Sequence, residues 1–540
     1  MKLKRDIRLM LHAAIVGGIL LPTQLVAQKS WAEYDFVVNS LPWLTSKNPT
    51  GILFLEHNKI SEVEFKGKKS NGDLINYHES NDSYQFGGYA RSLYRINEKV
   101  VLKGTIDYTN FKGQNMSGSV FIDPYSQVLN ITEFSNEDKG DKKLERYDLV
   151  GAVAVEAYKN IRLAGEFSFS AANYAKMKDL RHINELTDIK TNIGMIYSFD
   201  KDINVGLSYL YHKNIEGISF NKYSPSAKIY EMLLSYGNFW GEKTTFDSSL
   251  GILSSAKKPI YSTTHSLSAQ ASMQATPQTL VYLEASYSKG TGKFGIDKAS
   301  SPIYYQYQTT AMDAKLSMRL NQGDNVHQIA LSYEQETSNN NMNIWKKIDS
   351  STGGSTIVYL DPKQVSTRKE RVLSLEIQSQ QQIKDFLPKW DYTLNADLHK
   401  TTSRATLYPY YRINELSRYG IQVNARRNIV QQKGYYSFAL NVGYTAALNG
   451  DPYTDGSSTP SPTQVKPKTA DQMMYHEYEY LTTPSLSLSP KLQYTHKLSK
   501  YASTAYIALQ YQHHQALKPL NYIPSKQHRV FLLSFGITLL

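Results

Sequence analysis

The chain has 540 residues, no cysteine, and a formal charge of +12 from 60 Lys and Arg against 48 Asp and Glu. The missing cysteine excludes disulfides, thiolate metal sites and cysteine nucleophiles. The basic residues are scattered and form no basic helix or stacking motif, so nucleic acid is not an expected partner.

The chain opens with MKLKRDIRLMLHAAIVGGILLPTQLVAQK. Lys2, Lys4, Arg5 and Arg8 precede an apolar stretch from Leu9 to about Leu21, and a small residue follows at Ala27. This is the pattern of a secretory signal peptide over 1–27, cleaved after Ala27. A membrane anchor is the alternative, but His12, Gly17, Gly18 and Pro22 interrupt a segment barely long enough to span. The leader holds four basic residues and one acid (Asp6), so its removal takes +12 to +9. No later run reaches about 18 apolar residues, and no membrane helix is expected.

Residues 28–51 read as a periplasmic or lumenal segment and 52–540 as one barrel domain. Apolar and polar residues then alternate with the period of a strand. Candidates near 52–66 and 84–96 come first. Val100, Leu102, Ile106 and Tyr108 then oppose Lys103, Thr105 and Asp107, and Ile161, Leu163, Phe167 and Phe169 oppose Arg162, Glu166 and Ser168. The pattern continues over 149–155, 189–199, 203–211, 267–273, 281–287, 312–320, 329–333, 373–377, 390–400, 419–425, 436–444, 501–511 and 531–539, and more weakly over 229–238, 245–255 and 486–498. About twenty strands result, many longer than the usual 5–6 residues and close to the roughly 9–11 that cross a bilayer.

Short links at 97–98, 159–160, 200–201, 276–278, 321–324 and 499–500 alternate with long ones at 111–145, 213–228, 290–309, 337–370 and 447–484. This is the arrangement of outer-membrane barrels, with short periplasmic turns and long external loops. The predicted fold is an all-β, transmembrane antiparallel up-and-down barrel of about 20 strands, range 16–20, in the outer membrane.

Barrel width decides which face of WDYTLNADLHK (390–400) meets water. At sixteen strands or more the interior is too wide for side chains to fill. Trp390, Tyr392, Leu394, Ala396 and Leu398 should therefore face lipid, and Asp391, Asp397 and His399 the lumen. By the same alternation the inward basic residues are Lys103, Arg162, Lys190, Lys315, Arg319, Arg418 and Arg426. The inward acids are Asp107, Glu156, Glu166, Asp313, Glu334, Glu376, Asp391 and Asp397. Seven against eight predicts pairing across the wall or a weakly selective passage, since a strongly selective pore favours one sign. Tyr108, Tyr197, Phe199, Tyr209, Tyr211, Trp390, Tyr392, Tyr444, Tyr501 and Tyr511 lie near strand ends, where interfacial girdles belong.

NPTGI at 48–52 resembles the NPAGL-type motif of long-chain fatty-acid-transporter-like barrels, although the same residues also read as a Pro-Gly turn. Twenty strands exceed the fourteen that family implies, so no fatty-acid substrate carries over. The terminal HRVFLLSFGITLL resembles the last strand read by the outer-membrane insertion machinery, with Leu540 in place of the usual aromatic. Together these features resemble large outer-membrane barrels of Bacteroidota of uncharacterised function, which implies location and fold but no substrate.

Chemistry is sparse. His265 and Ser266 are adjacent, so they fall on opposite faces of a strand and cannot share a proton. In YHEYEY (475–480), read as extended, Glu477 and Glu479 share a face opposite His476, and His513 and His514 diverge, so no metal site is expected. VFIDP (120–124) and VYLDP (358–362) read as matched strand-turn elements over the mouth, or as coincidence, and DGSSTPSPTQVKPKT as a mobile loop. The leading expectation is a non-enzymatic, porin-like channel or transport-associated protein without cofactor, contacting outer-membrane lipid. The alternative is a surface anchor in a secretion or uptake complex, and the weakest reading a rim hydrolase.

Overall fold

The computed structural model describes residues 33–540 except 126–128, 201, 226, 248–250, 298–301, 350, 352–354, 450–452, 460–463 and 499–502. The leader, its cleavage point and Tyr501 lie outside the described residues.

Eighteen strands close one barrel. The first half comprises β1 Lys59–Asn71, β2 Asp82–Asn97, β3 Val100–Met116, β4 Gly140–Tyr158, β5 Ile161–Lys176, β6 Arg181–Ser198, β7 Ile203–Asn221, β8 Lys258–Thr276 and β9 Thr279–Phe294. The second half comprises β10 Tyr305–Gln322, β11 Asn325–Met342, β12 Lys363–Gln381, β13 Trp390–Leu407, β14 Tyr410–Val430, β15 Gly434–Ala447, β16 Ser485–Leu498, β17 Ser503–Ala516 and β18 Gln527–Leu539. Each pairs antiparallel with its sequence neighbour, and β18 returns to β1 with Phe535 opposite Phe65. Closure leaves no wall edge unpaired, as lipid requires.

The register settles the two faces. Leu509 and Leu533 are opposite each other on the outside, and both are bare of protein, at 55% and 53% exposure. Tyr392 and Leu398 of the 390–400 stretch are also outward and exposed, while Asp391 is buried inside. Tyr108 packs on Tyr147, its partner on β4, with ring centroids 4.9 Å apart on the outer face.

Two of the twenty expected strands, 229–238 and 245–255, are not wall. The first is Glu231–Gly237, which forms an inserted sheet with Trp240–Thr245, Asn130–Thr132 and Lys468–Thr469, and past Thr245 the described residues of the second form no strand. The reason is readable in MLLSY (232–236): every residue is buried, as in a strand covered on both faces rather than one that alternates. The first wall strand also begins later than 52. Pro49–Phe54 is a 3-10 helix, started by the fixed φ of Pro49 and by the Asn48 side chain, which accepts from the Thr50 N–H.

Links at one end of the barrel are mostly tight turns. At the other end they include the long segments 117–139, 222–257, 343–362 and 448–484, although 177–180 and 408–409 are short there too. YHEYEY is not extended but part of a helix, Asp471–Thr482, so Glu477 and Glu479 do not share a face. VFIDP and VYLDP do not match: Val120 and Phe121 are buried in the inserted body, whereas Ser355–Tyr359 belongs to a separate hairpin with Trp345–Asp349. The loop expected to be mobile is tied down at both ends, by Thr454–Ser457 on β14 and by Lys468–Thr469 on the inserted sheet.

Candidate functional site: a lumen closed at both ends

An eighteen-stranded wall encloses more space than its own side chains fill, and two bodies occupy it. At the short-turn end lies the N-terminal segment, with the helix Tyr34–Val38 and 3-10 turns at Pro42–Thr45 and Pro49–Phe54. Its fold-back needs Gly51, because a side chain there would overlap the Trp43 carbonyl. Trp43 donates from Nε1 to Ser272 Oγ at 2.9 Å and packs edge-on to Tyr282 at 5.3 Å.

Tyr34, Val37, Ile52 and Leu55 pack on the wall residues Ile60, Leu93, Val101, Ala152 and Ala154, and polar anchors supplement them. Asn48 Nδ2 reaches the backbone carbonyls of Met195 (3.0 Å) and Leu207 (3.1 Å) and Gln270 Oε1 (3.1 Å). The Lys47 N–H donates to Glu284 (2.9 Å) and its ammonium to Ser286 (2.9 Å), with an ion pair to Asp313. Arg91 holds both Asp35 (2.8 Å) and Glu62 (2.5 Å) and lies over the Tyr34 ring. Glu33 accepts from Arg426 Nη1 (2.7 Å) and the Tyr435 hydroxyl (2.5 Å), and Arg426 also meets Asp391 at 3.1 Å. Burial pushes the Glu33 carboxyl up, but Arg426 and Tyr435 outweigh it and hold the group below its usual range.

Between this segment and the wall lies a cavity of about 350 Å³. Its lining sets Glu33, Asp35, Glu62, Glu64 and Asp391 against Arg426 and Lys491.

The long-loop end is closed differently. Val120, Phe121, Ile131, Met232, Leu234, Tyr236 and Trp240 of the inserted cap pack on inward wall residues including Ile218, Phe220, Ile260, Phe294, Tyr305, Val365 and Ala405. Around the rest of the rim, Lys142 donates to the Ser119 carbonyl (2.7 Å), Lys176 pairs with Glu133, and Arg412 pairs with Asp455 (2.6 Å). The helix Asp471–Thr482 is fastened by two of its three carboxylates. Glu479 accepts the backbone N–H groups of Asn521, Tyr522 and Ile523, and Glu477 accepts from the Tyr125 hydroxyl at 2.8 Å. Burial raises the Glu477 carboxyl to about 7.

The register puts the sixteen residues predicted for the lumen, Glu334 and Glu376 among them, on the face opposite the exposed apolar rows. Asp313, Asp391, Arg426 and Arg319, which donates to the Ser40 carbonyl, contact that segment directly. Arg162 lies over the Phe54 ring at 4.8 Å, with Glu156 as its cross-strand partner. Lys103 pairs with Glu166 at 2.8 Å, and Asp397 with His399 at 3.1 Å, with Arg418 opposite His399. Lys315 lies opposite Glu284, Asp107 opposite Asp148, and Lys190 opposite His212, which is bound to Asp188 at 2.6 Å. Sequence reasoning missed Glu33, Trp43, Lys47 and the role of Asn48; the Asn-Pro-x-Gly signal was the one cue to them.

No catalytic constellation converges among the described residues. His265 is outward, 2.6 Å from the Tyr209 hydroxyl, and Ser266 is inward, bonded to Ser288. His514 Nε2 and Ser485 Oγ are 2.8 Å apart, but Ser485 is shared with Thr445, and no carboxylate hydrogen-bonds His514 among the described residues.

Closed pairing around an outward apolar band defines a transmembrane β-barrel, which fits the bacterial outer membrane; no described helix is long and apolar enough to cross one. Residues 49–539 match the model of a family of unknown function (DUF6850), and the chain belongs to that family. No curated protein matches the sequence.

Among solved structures, the chain is similar to the siderophore receptor PiuA of Acinetobacter baumannii (11% identity, 88% of this chain and 81% of that one, TM-score 0.40). It is also similar to the ferric preacinetobactin receptor BauA of the same organism (9%, 89% and 80%, 0.38) and to a FadL homologue of Pseudomonas aeruginosa (10%, 91% and 92%, 0.35). These overlaps are shallow, and the barrel assignment rests on the chain's own strand pairing.

Proposed function

We propose that the protein is a gated outer-membrane transport barrel whose lumen passes a solute once the N-terminal segment and the cap are displaced. The short-turn end is periplasmic and the long-loop end extracellular. Export through a leader cleaved after Ala27, delivery by the outer-membrane insertion machinery and a Bacteroidota source belong to the same reading. The inward charged rows from Lys103 to Arg426 then line the path, and neither catalysis nor a cofactor is required.

One observation carries this reading: beside a cavity lined by charged groups, hydrogen bonds and ion pairs from Asn48, Lys47 and Arg426 supplement the apolar contacts of the N-terminal segment. Water can replace the polar part of that interface at modest net cost. A second reading, a surface anchor for a secretion or uptake partner, draws on the cap, which shares a cluster of twenty buried apolar residues with the wall beneath it.

Entry of a bulky hydrophilic antibiotic into cells expressing the protein separates the two. Cells carrying a variant without residues 33–55, without the inserted sheet over 231–245 and without the helix Asp471–Thr482 should become sensitive, while the full chain leaves them resistant. Continued resistance, with the variant folded in the membrane, would favour the anchor.

A further inference from the structure

The outward face of β12 and β13 carries a feature the lumen does not explain. Arg371 and Lys400 are direct cross-strand partners, and both point away from the lumen. Lys369 lies two residues along the same face of β12, and Arg404 four residues along β13. The four cations occupy three successive rows of two adjacent strands, spaced by about 5 Å across and about 7 Å along.

Like charges directly opposite each other on a sheet repel. Among the described residues none of the four forms an ion pair. Arg371 has only Gln335 Oε1 at 3.3 Å, and Arg404 lies over the Tyr411 ring at 4.5 Å. Nearby carboxylates are turned away: Glu370 points inward to Arg368, and Glu376 shares its inward parity. The nearest outward acid, Glu415, is level with Lys369 but separated from it by Thr402.

The height of the cluster identifies what it faces. The next outward pair toward the short-turn end is Leu373 opposite Leu398, both exposed, followed by Leu375, Ala396, Ile377 and Leu394. The cluster thus begins where the apolar band stops, on the long-loop side, at the level of lipid headgroups. Unpaired guanidinium and ammonium groups at that level match phosphate oxygens, which Arg can grip in bidentate fashion.

We propose that Lys369, Arg371, Lys400 and Arg404 form a binding site for the phosphate of a phosphorylated glycolipid in the outer leaflet. Acyl chains of the same molecule would lie along Leu373, Leu375 and Leu398, and the phosphate would bridge the opposed Arg371 and Lys400. The site relies only on the outward face of the wall and on the long-loop end being extracellular, so it stands whether the lumen transports or not.

Bis-phosphorylated lipid A is added to the detergent-solubilised full chain, and bound lipid is counted by native mass spectrometry. The fourfold variant Lys369→Gln, Arg371→Gln, Lys400→Gln, Arg404→Gln should bind at least tenfold more weakly, because four surface cations that attract anionic lipid are removed together. The double variant Arg371→Gln, Lys400→Gln, at the centre of the site, should fall between the two and serves if the fourfold variant does not fold. Added salt should weaken binding to the full chain more than to the variants. Equal binding by full chain and variants would overturn the proposal, as would equal binding of dephosphorylated lipid A. Displacement of lipid A by inorganic pyrophosphate at matched concentration would also overturn it, showing a soluble anion to be the ligand.

Discussion

Asn48 of the inserted segment sits against Gly194 of β6 so closely that a Cβ on Gly194 would overlap the Asn48 carboxamide and come within 2.9 Å of both Pro49 and Thr50. The absent side chain is a notch in the wall, and Asn48 fills it while reaching the ladder carbonyls of Met195 and Leu207. Gly194→Leu should expel residues 33–55 and leave the wall intact. The segment should become cleavable by added protease, while the folded barrel still migrates faster than the boiled chain on a gel. Asn48→Ala should act in the same direction but less, weakening docking by about 1–3 kcal/mol through lost hydrogen bonds.

The Glu33–Arg426 contact makes a separate test at the far end of the segment. Arg426→Met leaves Glu33 and Asp391 facing each other without their shared cation. Docking should weaken by about 2 kcal/mol, the scale of a hydrogen bond to a charged group. Hydrogen exchange at residues 33–40 would report it, with the strand ladders unaffected. Unchanged protection would show that this contact does not hold the helix Tyr34–Val38 in place.

The cap should respond to pH through Glu477. Its carboxyl is raised by burial to about 7 from an ordinary 4.5, so the docked helix binds a proton more tightly than the released one. Its contribution to docking is therefore fully present below about 4.5 and lost as pH rises through about 7. Protease cleavage near Lys466 and Lys468 should increase over that range, and Glu477→Gln should flatten the dependence while keeping the Tyr125 contact. A profile of the same slope in the variant would remove Glu477 as the cause.

On the lipid face, Leu533→Arg at the middle of β18 should destabilise the folded barrel by about 2–4 kcal/mol, the cost of a cation near the bilayer midplane. Urea unfolding in lipid vesicles measures this. A substitution without effect would mean that this face does not meet hydrocarbon.

Much of the wall was legible because alternation is local. Tyr392 and Leu398 against Asp391 show their faces within ten residues, and barrel width then decides which face is wet. MLLSY misled the count because a strand buried on both sides still scores as strand. YHEYEY read as extended through its tyrosines, although Gln472, Met473, Met474 and Leu481 around it favour helix.

The N-terminal segment was barely legible, for a different reason. Its partners Asp313, Glu284, Gln270 and Arg426 lie more than two hundred residues away, and nothing in residues 33–47 encodes those distances. Asn48-Pro49-Thr50-Gly51 stood out because a tight turn leaves a local signature. The lipid-facing cations were legible as charges but not as a cluster, since only the register sets Lys400 opposite Arg371.

In the proposed function an open passage lies behind two removable closures. Single-barrel conductance in a planar bilayer tests it most directly. The full chain should stay closed apart from brief openings, and removing residues 33–55 together with the inserted sheet over 231–245 and the helix Asp471–Thr482 should produce large, steady steps in ion current. A full chain that conducts steadily would contradict the closures. A barrel so deleted that inserts but never conducts would contradict the passage itself.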